Sequence, residues 1–206
     1  MTRRRARAAV RAVVGLGLCC ASCTATVTGS PSAVALPKTE VVVANPFTAA
    51  GEPAADVTVV EQAVGSCQDS NLASGNPQAR RCFTEDSSVL DPCFLPAGRL
   101  AERALCLSDP TAGEAVELRV TDDSALPPGE HSYDGDPWFL ELVNGLECQL
   151  LGGATVVFQG LRMNYACGPD RYLYGSPDRQ QDTWTIRYGS EAPAELTSVP
   201  VRTAWF

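Results

Sequence analysis

The stretch that decides the fold is WFLELVNGLECQLL, residues 138–151. Its centre, Asn144-Gly145, separates two apolar segments and is a strong signal for a two-residue β-hairpin turn. Such a turn places Glu141 opposite Cys148 and leaves apolar side chains on both faces of the hairpin. The pattern therefore predicts a strand pair covered on both sides, as in a sandwich or a small barrel.

Strand signals continue along most of the chain. Trp184, Ile186 and Tyr188 alternate with polar residues, and residues 199–205 alternate in the same way, which is typical of half-buried strands. The fold class predicted is all-β, a disulfide-stapled antiparallel sandwich or small barrel, with at most one or two short helices, of which one is expected within residues 97–104. The predicted strands are 58–64, 88–94, 103–107, 115–121, 137–143, 146–151, 154–158, 161–167, 171–175, 183–188 and 197–205.

Pro-Asp-Arg occurs twice, at residues 169–171 and 177–179. Proline followed by aspartate favours a type I turn. The repeat therefore predicts two similar hairpin turns, with a ligand-reading repeat as the alternative.

The N-terminus has the features of an export signal. Residues 1–11 are basic, residues 12–22 form an apolar run too short to span a bilayer, and the small residues Ala21 and Ser22 precede Cys23. This resembles the lipobox of bacterial lipoproteins, although the position three before Cys23 is Cys20 rather than the usual leucine. We expect a signal peptide at 1–22 and a lipid on Cys23. Cleavage after Ala25, which would give a secreted protein, is the alternative.

A flexible tether is expected between the lipid and the folded domain. Residues 23–56 are rich in Thr, Ser, Ala, Val and Pro and carry few charges. A strand at 40–44 that adds to the domain is the alternative. The domain itself is predicted to occupy residues 57–206.

Six cysteines remain once Cys19, Cys20 and Cys23 are assigned to the N-terminus. An even number in an exported chain indicates disulfides. These six cysteines include no CxxC pair and the chain has one histidine, so zinc-ligand spacing is absent among them. Fifteen connectivities are open. Pairing of sequence neighbours is the prediction, namely Cys67–Cys82, Cys93–Cys106 and Cys148–Cys167.

Charge argues against several partners. The chain has a net charge of −8; without the five arginines of residues 1–23, 11 basic and 24 acidic residues remain, a net charge of −13. Phosphate backbones and anionic lipid headgroups would repel such a surface. Nucleic acid is not expected as a partner, and membrane contact is expected only through the lipid anchor.

No catalytic residue, cofactor or metal is predicted. His131 lies in a polar loop, and the Gly-x-Ser-x-Gly motif is absent. The acidic loop 122–136 contains Asp122, Asp123, Asp134 and Asp136; carboxylates of this kind can bind calcium or act in hydrolysis, and a solvated acidic loop is the simpler interpretation.

Aromatic side chains near the turns are the other candidates for recognition. Tyr172 and Tyr174 stand beside the Pro-Asp-Arg motifs, and Asp134 and Asp136 close the acidic loop. These four residues are the predicted ligand contacts.

Several short motifs of the chain recur in a known group of proteins. They are Gly65-Ser66-Cys67, Arg81-Cys82, Asp91-Pro92-Cys93-Phe94, Pro137-Trp138 through Leu142, Asn144-Gly145 to Cys148, Asn164-Tyr165-Ala166-Cys167, Trp184 and Thr203-Ala204-Trp205. In these motifs the chain resembles exported actinobacterial lipoprotein-like proteins with a six-cysteine C-terminal domain, a group without an assigned activity. The resemblance covers about residues 64–206 and implies the compartment and the disulfides, not a chemistry.

The function expected from the sequence is that of a cell-envelope lipoprotein acting as a non-catalytic binding or interaction module. It would lie on the outer face of the cytoplasmic membrane, with an envelope protein or a small ligand as its partner. The alternative is an extracytoplasmic hydrolase that uses the acidic loop 122–136.

Overall fold

The structure, a computed structural model, describes residues 36–68, 71–97, 102–123 and 135–206. In these ranges every helix or strand element is a strand, and three disulfides connect the strands. The predicted all-β, disulfide-stapled fold class is confirmed. The predicted signal peptide, Cys23, His131 and Asp134 lie outside the described residues.

The described residues form thirteen strands. They are β1 (Glu40–Val42), β2 (Thr58–Gln68), β3 (Ala79–Thr84), β4 (Val89–Phe94), β5 (Arg103–Cys106), β6 (Glu114–Asp123), β7 (Phe139–Leu142), β8 (Glu147–Leu150), β9 (Val157–Phe158), β10 (Leu161–Ala166), β11 (Tyr172–Asp178), β12 (Thr185–Gly189) and β13 (Thr197–Trp205).

The first barrel consists of the five consecutive strands β2 to β6. Each strand pairs antiparallel with the next one along the chain. Five strands in this order leave the first and the last pointing in the same direction, so the ring can close only through a parallel pair. β2 and β6 form that pair, with Val59 opposite Ala115. Closure gives every strand of this barrel two neighbours and so removes its exposed sheet edges.

Two disulfides occupy the interior of the first barrel. Cys67 lies opposite Cys82 on β2 and β3, and Cys93 lies opposite Cys106 on β4 and β5. Both bridges are buried and pack around Leu118 of β6. The predicted pairings 67–82 and 93–106 are confirmed. The buried residues of this core are cysteine, leucine and alanine.

The second barrel is a ring of six strands, in the order β7, β8, β10, β11, β12 and β13. The nine-residue strand β13 closes the ring, because residues near Pro200 pair with β12 on one edge while Val201 and the residues after it pair with β7 on the other. A bulge between Val201 and Thr203 reverses the alternation, so that Val201 and Ala204 both face the interior and Trp205 faces outward. The interior is filled by large side chains, including Leu140, Leu142, Tyr165, Leu173, Ile186 and Val201.

The β7–β8 hairpin is present, but its register differs by one residue from the predicted one. Its loop has three residues, 143–145, because the amide of Leu142 donates to the carbonyl of Leu146 at 2.8 Å. Gly145 has φ of +81°, as the last residue of such a loop requires. Leu140, rather than Glu141, therefore lies opposite Cys148. A one-residue shift exchanges the two faces of a strand, so this correction places Leu140 inside the barrel.

The third disulfide joins Cys148 of β8 to Cys167 at the end of β10, as predicted. The adjacent pair in register is Gln149 opposite Ala166, so the two cysteines are neighbours across the strands. Both are buried among the aliphatic residues of the second barrel.

An aromatic cluster lies between the barrels. Trp138 is fully buried, and its ring centroid is 6.2 Å from that of Phe94 in the first barrel and 5.7 Å from that of Phe139 in the second. Phe139 in turn meets Trp205 edge-on at 5.5 Å. Residues of both barrels therefore share one further apolar core.

Residues 36–56 belong to the folded unit, which corrects the C-terminal part of the tether predicted for 23–56. β1 pairs in parallel with the end of β13, with Glu40 opposite Thr203, so the alternative of a strand at 40–44 is the one observed. Ala44 and Phe47 are buried in the core between the barrels. The partner of β1 lies about 160 residues away in β13, so the sequence around β1 does not indicate this pairing.

The two Pro-Asp-Arg motifs have different structures. Residues 169–171 lie in the β10–β11 hairpin, where the amide of Cys167 donates to the carbonyl of Arg171 at 2.8 Å. Pro177 instead lies within β11, where the pairing with β12 shifts between Tyr174 and Asp178. Proline is tolerated at such an irregularity because it has no amide hydrogen to donate. The prediction of a second, similar turn is wrong.

A short helix is predicted within residues 97–104, but the last two of these residues form part of a strand. Arg103 and Ala104 belong to β5, where they lie opposite Arg119 and Leu118. Residues 98–101 are outside the described ranges.

Candidate functional site

Of the four predicted ligand contacts, Tyr172, Tyr174 and Asp136 lie in the described part of the chain, and Tyr174 has a structural role. Tyr174 is buried, and its hydroxyl donates to the carbonyl of Ser190 at 2.6 Å. Burial raises the pKa of Tyr174, and the nearby carboxylate of Glu191 adds to the effect. Tyr172 is half-buried at the start of β11. Tyr174 is thus a structural hydrogen-bond donor, which corrects its prediction as an exposed contact.

Asp136 is the centre of a polar cluster at one end of the second barrel. Its Oδ2 accepts a hydrogen bond from Ser176 Oγ at 2.9 Å and a weak one from Asn164 Nδ2 at 3.4 Å. Its Oδ1 lies 4.0 Å from Arg179 Nη2. These contacts join the segment that leads into β7 to strand β10 and to the region around the end of β11.

Arg179 also binds the segment that leads into β7. Its Nη2 donates to the carbonyl of Gly135 at 2.7 Å. Its guanidinium carbon lies 4.9 Å from the ring centroid of Trp184 and 5.3 Å from that of Phe206, which is cation–π geometry. The arginine is therefore immobilised by ring stacking as well as by hydrogen bonds.

Tyr165 lies close to this cluster in the barrel interior. Its hydroxyl is fully buried and donates to the carbonyl of Pro137 at 2.9 Å. Burial raises the pKa of Tyr165 well above its usual value of 10.0; Asp136 raises it further and Arg179 opposes the change. The hydroxyl consequently stays protonated at neutral pH and acts as a fixed donor. The Asp136 cluster therefore fixes residues 135–137, at the end of the acidic loop, against the second barrel.

Potential metal ligands come together at one place among the described residues. The sulfur atoms of Cys82, Cys93 and Cys106 lie within 4.8 Å of one another. All three sulfurs are in disulfides, and a metal ion binds the thiolate form of cysteine. These atoms therefore belong to the covalent core of the first barrel.

A second surface feature, which sequence analysis missed, lies at one end of the first barrel. There the starts of β2, β4 and β6 meet the end of β5, and two open depressions of about 300 and 500 Å³ share Leu90 and Val116 as lining residues. We call this region the barrel mouth. Its larger aliphatic residues are Val60, Val64, Val89, Leu90, Leu107 and Val116.

Two valines of the barrel mouth are unusually exposed. Val60 and Val89 each show 57% of their surface to solvent. Val60 is the extra residue of a β-bulge, since Val59 lies opposite Ala115 while Glu61 already lies opposite Val116. A bulge redirects the side chain of the inserted residue. The adjacent valines 59 and 60, which interrupt the alternation of β2, were the sequence signal for it.

The rim of the barrel mouth is acidic. Glu61, Glu85, Asp86 and Glu114 line the two depressions and are all exposed. A hydrogen bond from the Thr84 hydroxyl, followed by bonds from Ser88, lowers the pKa of Asp86, so this carboxylate is ionised at neutral pH. No lysine or arginine is among the described residues that line either depression.

Comparison with known proteins adds no assignment: no family model, no curated protein and no solved structure matches the chain. Within the described part of the chain, no helix of a length and apolarity suited to crossing a membrane is found.

Proposed function

We propose that this protein is a cell-envelope lipoprotein whose folded domain is a non-catalytic binding module. The observation that carries the proposal is that the interiors of both barrels are occupied. Two disulfides and Leu118 fill the first, and aliphatic side chains with Tyr165 fill the second. Recognition is therefore left to the outer surface, where the barrel mouth presents aliphatic groups to solvent.

The N-terminal sequence supports the location. The basic segment, the short apolar run and the small residues before Cys23 together favour export and attachment of a lipid to that cysteine. Disulfides persist in the oxidising environment outside the cytoplasm, and the three bridges fit such a location.

The Asp136 cluster favours binding over hydrolysis by the acidic loop. Asp136, the last carboxylate of that loop, accepts hydrogen bonds from Ser176 and Asn164 and faces the stacked Arg179. These contacts fix the chain segment that leads into β7. General acid catalysis instead requires a carboxyl group within hydrogen-bond reach of the substrate.

The location is tested by replacing the proposed lipidation site. Cys23→Ala should release the protein into the medium, and globomycin should cause the unprocessed parent to accumulate. A Cys23→Ala variant that matures normally and stays with the membrane would contradict the lipoprotein proposal.

The absence of catalysis is tested with Asp122→Asn/Asp123→Asn/Asp134→Asn, which spares the structural Asp136. The purified parent and variant are incubated with ester, glycoside and peptide substrates. Neither should turn over substrate above the buffer rate. Turnover by the parent that disappears in the variant would establish the hydrolase in place of the binding module.

A further inference from the structure

We propose that the barrel mouth binds a cationic segment that carries aliphatic side chains, such as a run of leucine or valine interspersed with lysine or arginine in an envelope peptide or protein. This inference rests on the proposed function, a binding module, and specifies the chemistry of its partner.

The aliphatic requirement comes from the two exposed valines and the residues beneath them. Val60 and Val89 are each 57% exposed, and Leu90 and Val116 line both depressions. Covering such side chains removes apolar surface from water, which is favourable by roughly 25 cal/mol per Å². The bulge at Val60 interrupts the regular β2–β6 ladder at this point and leaves the valine uncovered.

The charge of the rim selects a cation. Glu61, Glu85 and Glu114 are exposed around the aliphatic floor, and the residues lining the two depressions include acids but no base. A cationic segment would be drawn to this surface, whereas anionic lipid headgroups and nucleic acid would be repelled.

A neighbouring depression shows that this imbalance is local. The depression of about 660 Å³ beside β5 and β6 is lined by both signs of charge, including Arg103 and Arg119 with Glu117. Arg103 already donates to Glu52 and to the carbonyl of Gly51 there. Of these two regions, the barrel mouth is the one that combines aliphatic residues with exposed acids and has no basic residue in its lining.

The shape favours a chain segment. The two depressions lie side by side because they share Leu90 and Val116, and both are open to solvent. An extended segment directs every second side chain to the same face, about 7 Å apart. Two aliphatic side chains of one segment can thus face the two depressions. The intervening lysine or arginine side chains start on the opposite face, and their long flexible alkyl chains can bring the charges to the exposed rim.

The test uses the oxidised full chain and synthetic peptides of about ten residues with alternating Leu and Lys, Ser and Lys, or Leu and Glu. Isothermal titration should detect binding of the Leu–Lys peptide, with affinity that falls as salt rises. Val60→Thr/Val89→Thr should weaken this binding by about tenfold, because hydroxyls replace two methyl groups that the bound peptide would cover. Glu61→Gln/Glu85→Gln/Glu114→Gln should weaken it and flatten its salt dependence.

A matched control is Val157→Thr, since Val157 is 64% exposed on β9 and lies outside the barrel mouth. It should leave the affinity unchanged. If the double valine variant fails to fold, Val89→Lys alone tests the same contact. Its added positive charge and length should weaken binding of the Leu–Lys peptide.

Equal binding of the Ser–Lys peptide would overturn the aliphatic requirement. Equal binding of the Leu–Glu peptide, or of phosphatidylglycerol vesicles, would overturn the charge requirement. Unchanged binding by Val60→Thr/Val89→Thr would remove the site from the barrel mouth. None of these results touches the Cys23→Ala and triple-Asn tests, so failure of this inference is distinguishable from failure of the proposed function.

Discussion

Most strand pairs in both barrels are antiparallel, but the interiors of the two barrels are stabilised by different means. The first closes with five strands and buries two disulfides around Leu118. The second closes with six strands and buries aliphatic side chains and Tyr165, with one disulfide among them. A barrel of fewer strands is narrower, so its interior accepts fewer large side chains. The comparison teaches that covalent bridges replace packing volume where the ring is small.

The largest expected effect comes from removing both bridges of the first barrel. Cys67→Ala/Cys82→Ala/Cys93→Ala/Cys106→Ala should lower the free energy of unfolding by about 6 kcal/mol, since each loop of this size contributes about 3 kcal/mol in the chain-entropy treatment. That loss is comparable to the whole stability of a typical domain. Hydrogen exchange should show the amides of β2 to β6 losing protection.

The control is the bridge of the second barrel. Cys148→Ala/Cys167→Ala should cost about 3 kcal/mol and leave β10 to β13 protected, because the packed side chains remain. Equal loss of protection in both barrels in either variant would mean that the barrels do not differ in the way proposed.

An intermediate effect is expected at the buried ion pair of the first barrel. Asp91 accepts hydrogen bonds from Arg81 Nε at 2.6 Å and from the amide of Leu72 at 2.8 Å, and only 7% of its side chain is exposed. Desolvation nevertheless outweighs these contacts and raises its pKa above 3.8. The folded state therefore holds the Asp91 proton more tightly than the unfolded state, and this stabilisation is lost as pH rises through the folded pKa.

Arg81→Leu should accordingly cost about 2 kcal/mol at pH 7, where a buried carboxylate loses its cation, and less at pH 3, where the carboxyl is neutral. Urea unfolding at both pH values measures the difference. Arg202→Leu is the control in the second barrel: its partner Glu141 lies 2.6 Å away, but Arg202 is half exposed, so the cost should stay below about 1 kcal/mol. A larger cost for Arg81→Leu at pH 3 than at pH 7 would contradict the assigned direction.

The smallest effect is expected at the Asp136 cluster of the second barrel. Asp136→Asn keeps the size and one acceptor oxygen, so it should lower the stability by about 1 kcal/mol. Thermal unfolding measures it, with Ser176→Ala as the variant that removes one donor to the same oxygen. A loss of several kcal/mol would show that the Asp136 cluster stabilises the second barrel as strongly as the two disulfides stabilise the first.

Local sequence was sufficient for features that depend on near neighbours. Each of the three cysteine pairs joins strands that are hydrogen-bonded neighbours and lie close together along the chain, so pairing of sequence neighbours was correct. β3 was missed because Ala79, Arg80 and Arg81 do not show strand alternation; Arg80 is buried and donates to the carbonyls of Pro77 and Ala79. Asn144-Gly145 marked the hairpin correctly, but the loop length was set by the packing of Leu140 and Leu142 inside the barrel.

The sequence by itself determined an all-β chain, three disulfides and a net negative charge, because strand alternation, cysteine spacing and charge can be read from the sequence directly. Only the tertiary structure decided that the strands close into two rings, that Glu40–Val42 joins β13, and that Val60 is uncovered at the barrel mouth. Closure and parallel pairing join segments that are far apart along the chain, and their free energy depends on the burial of surfaces from both segments. No single stretch of sequence contains that information.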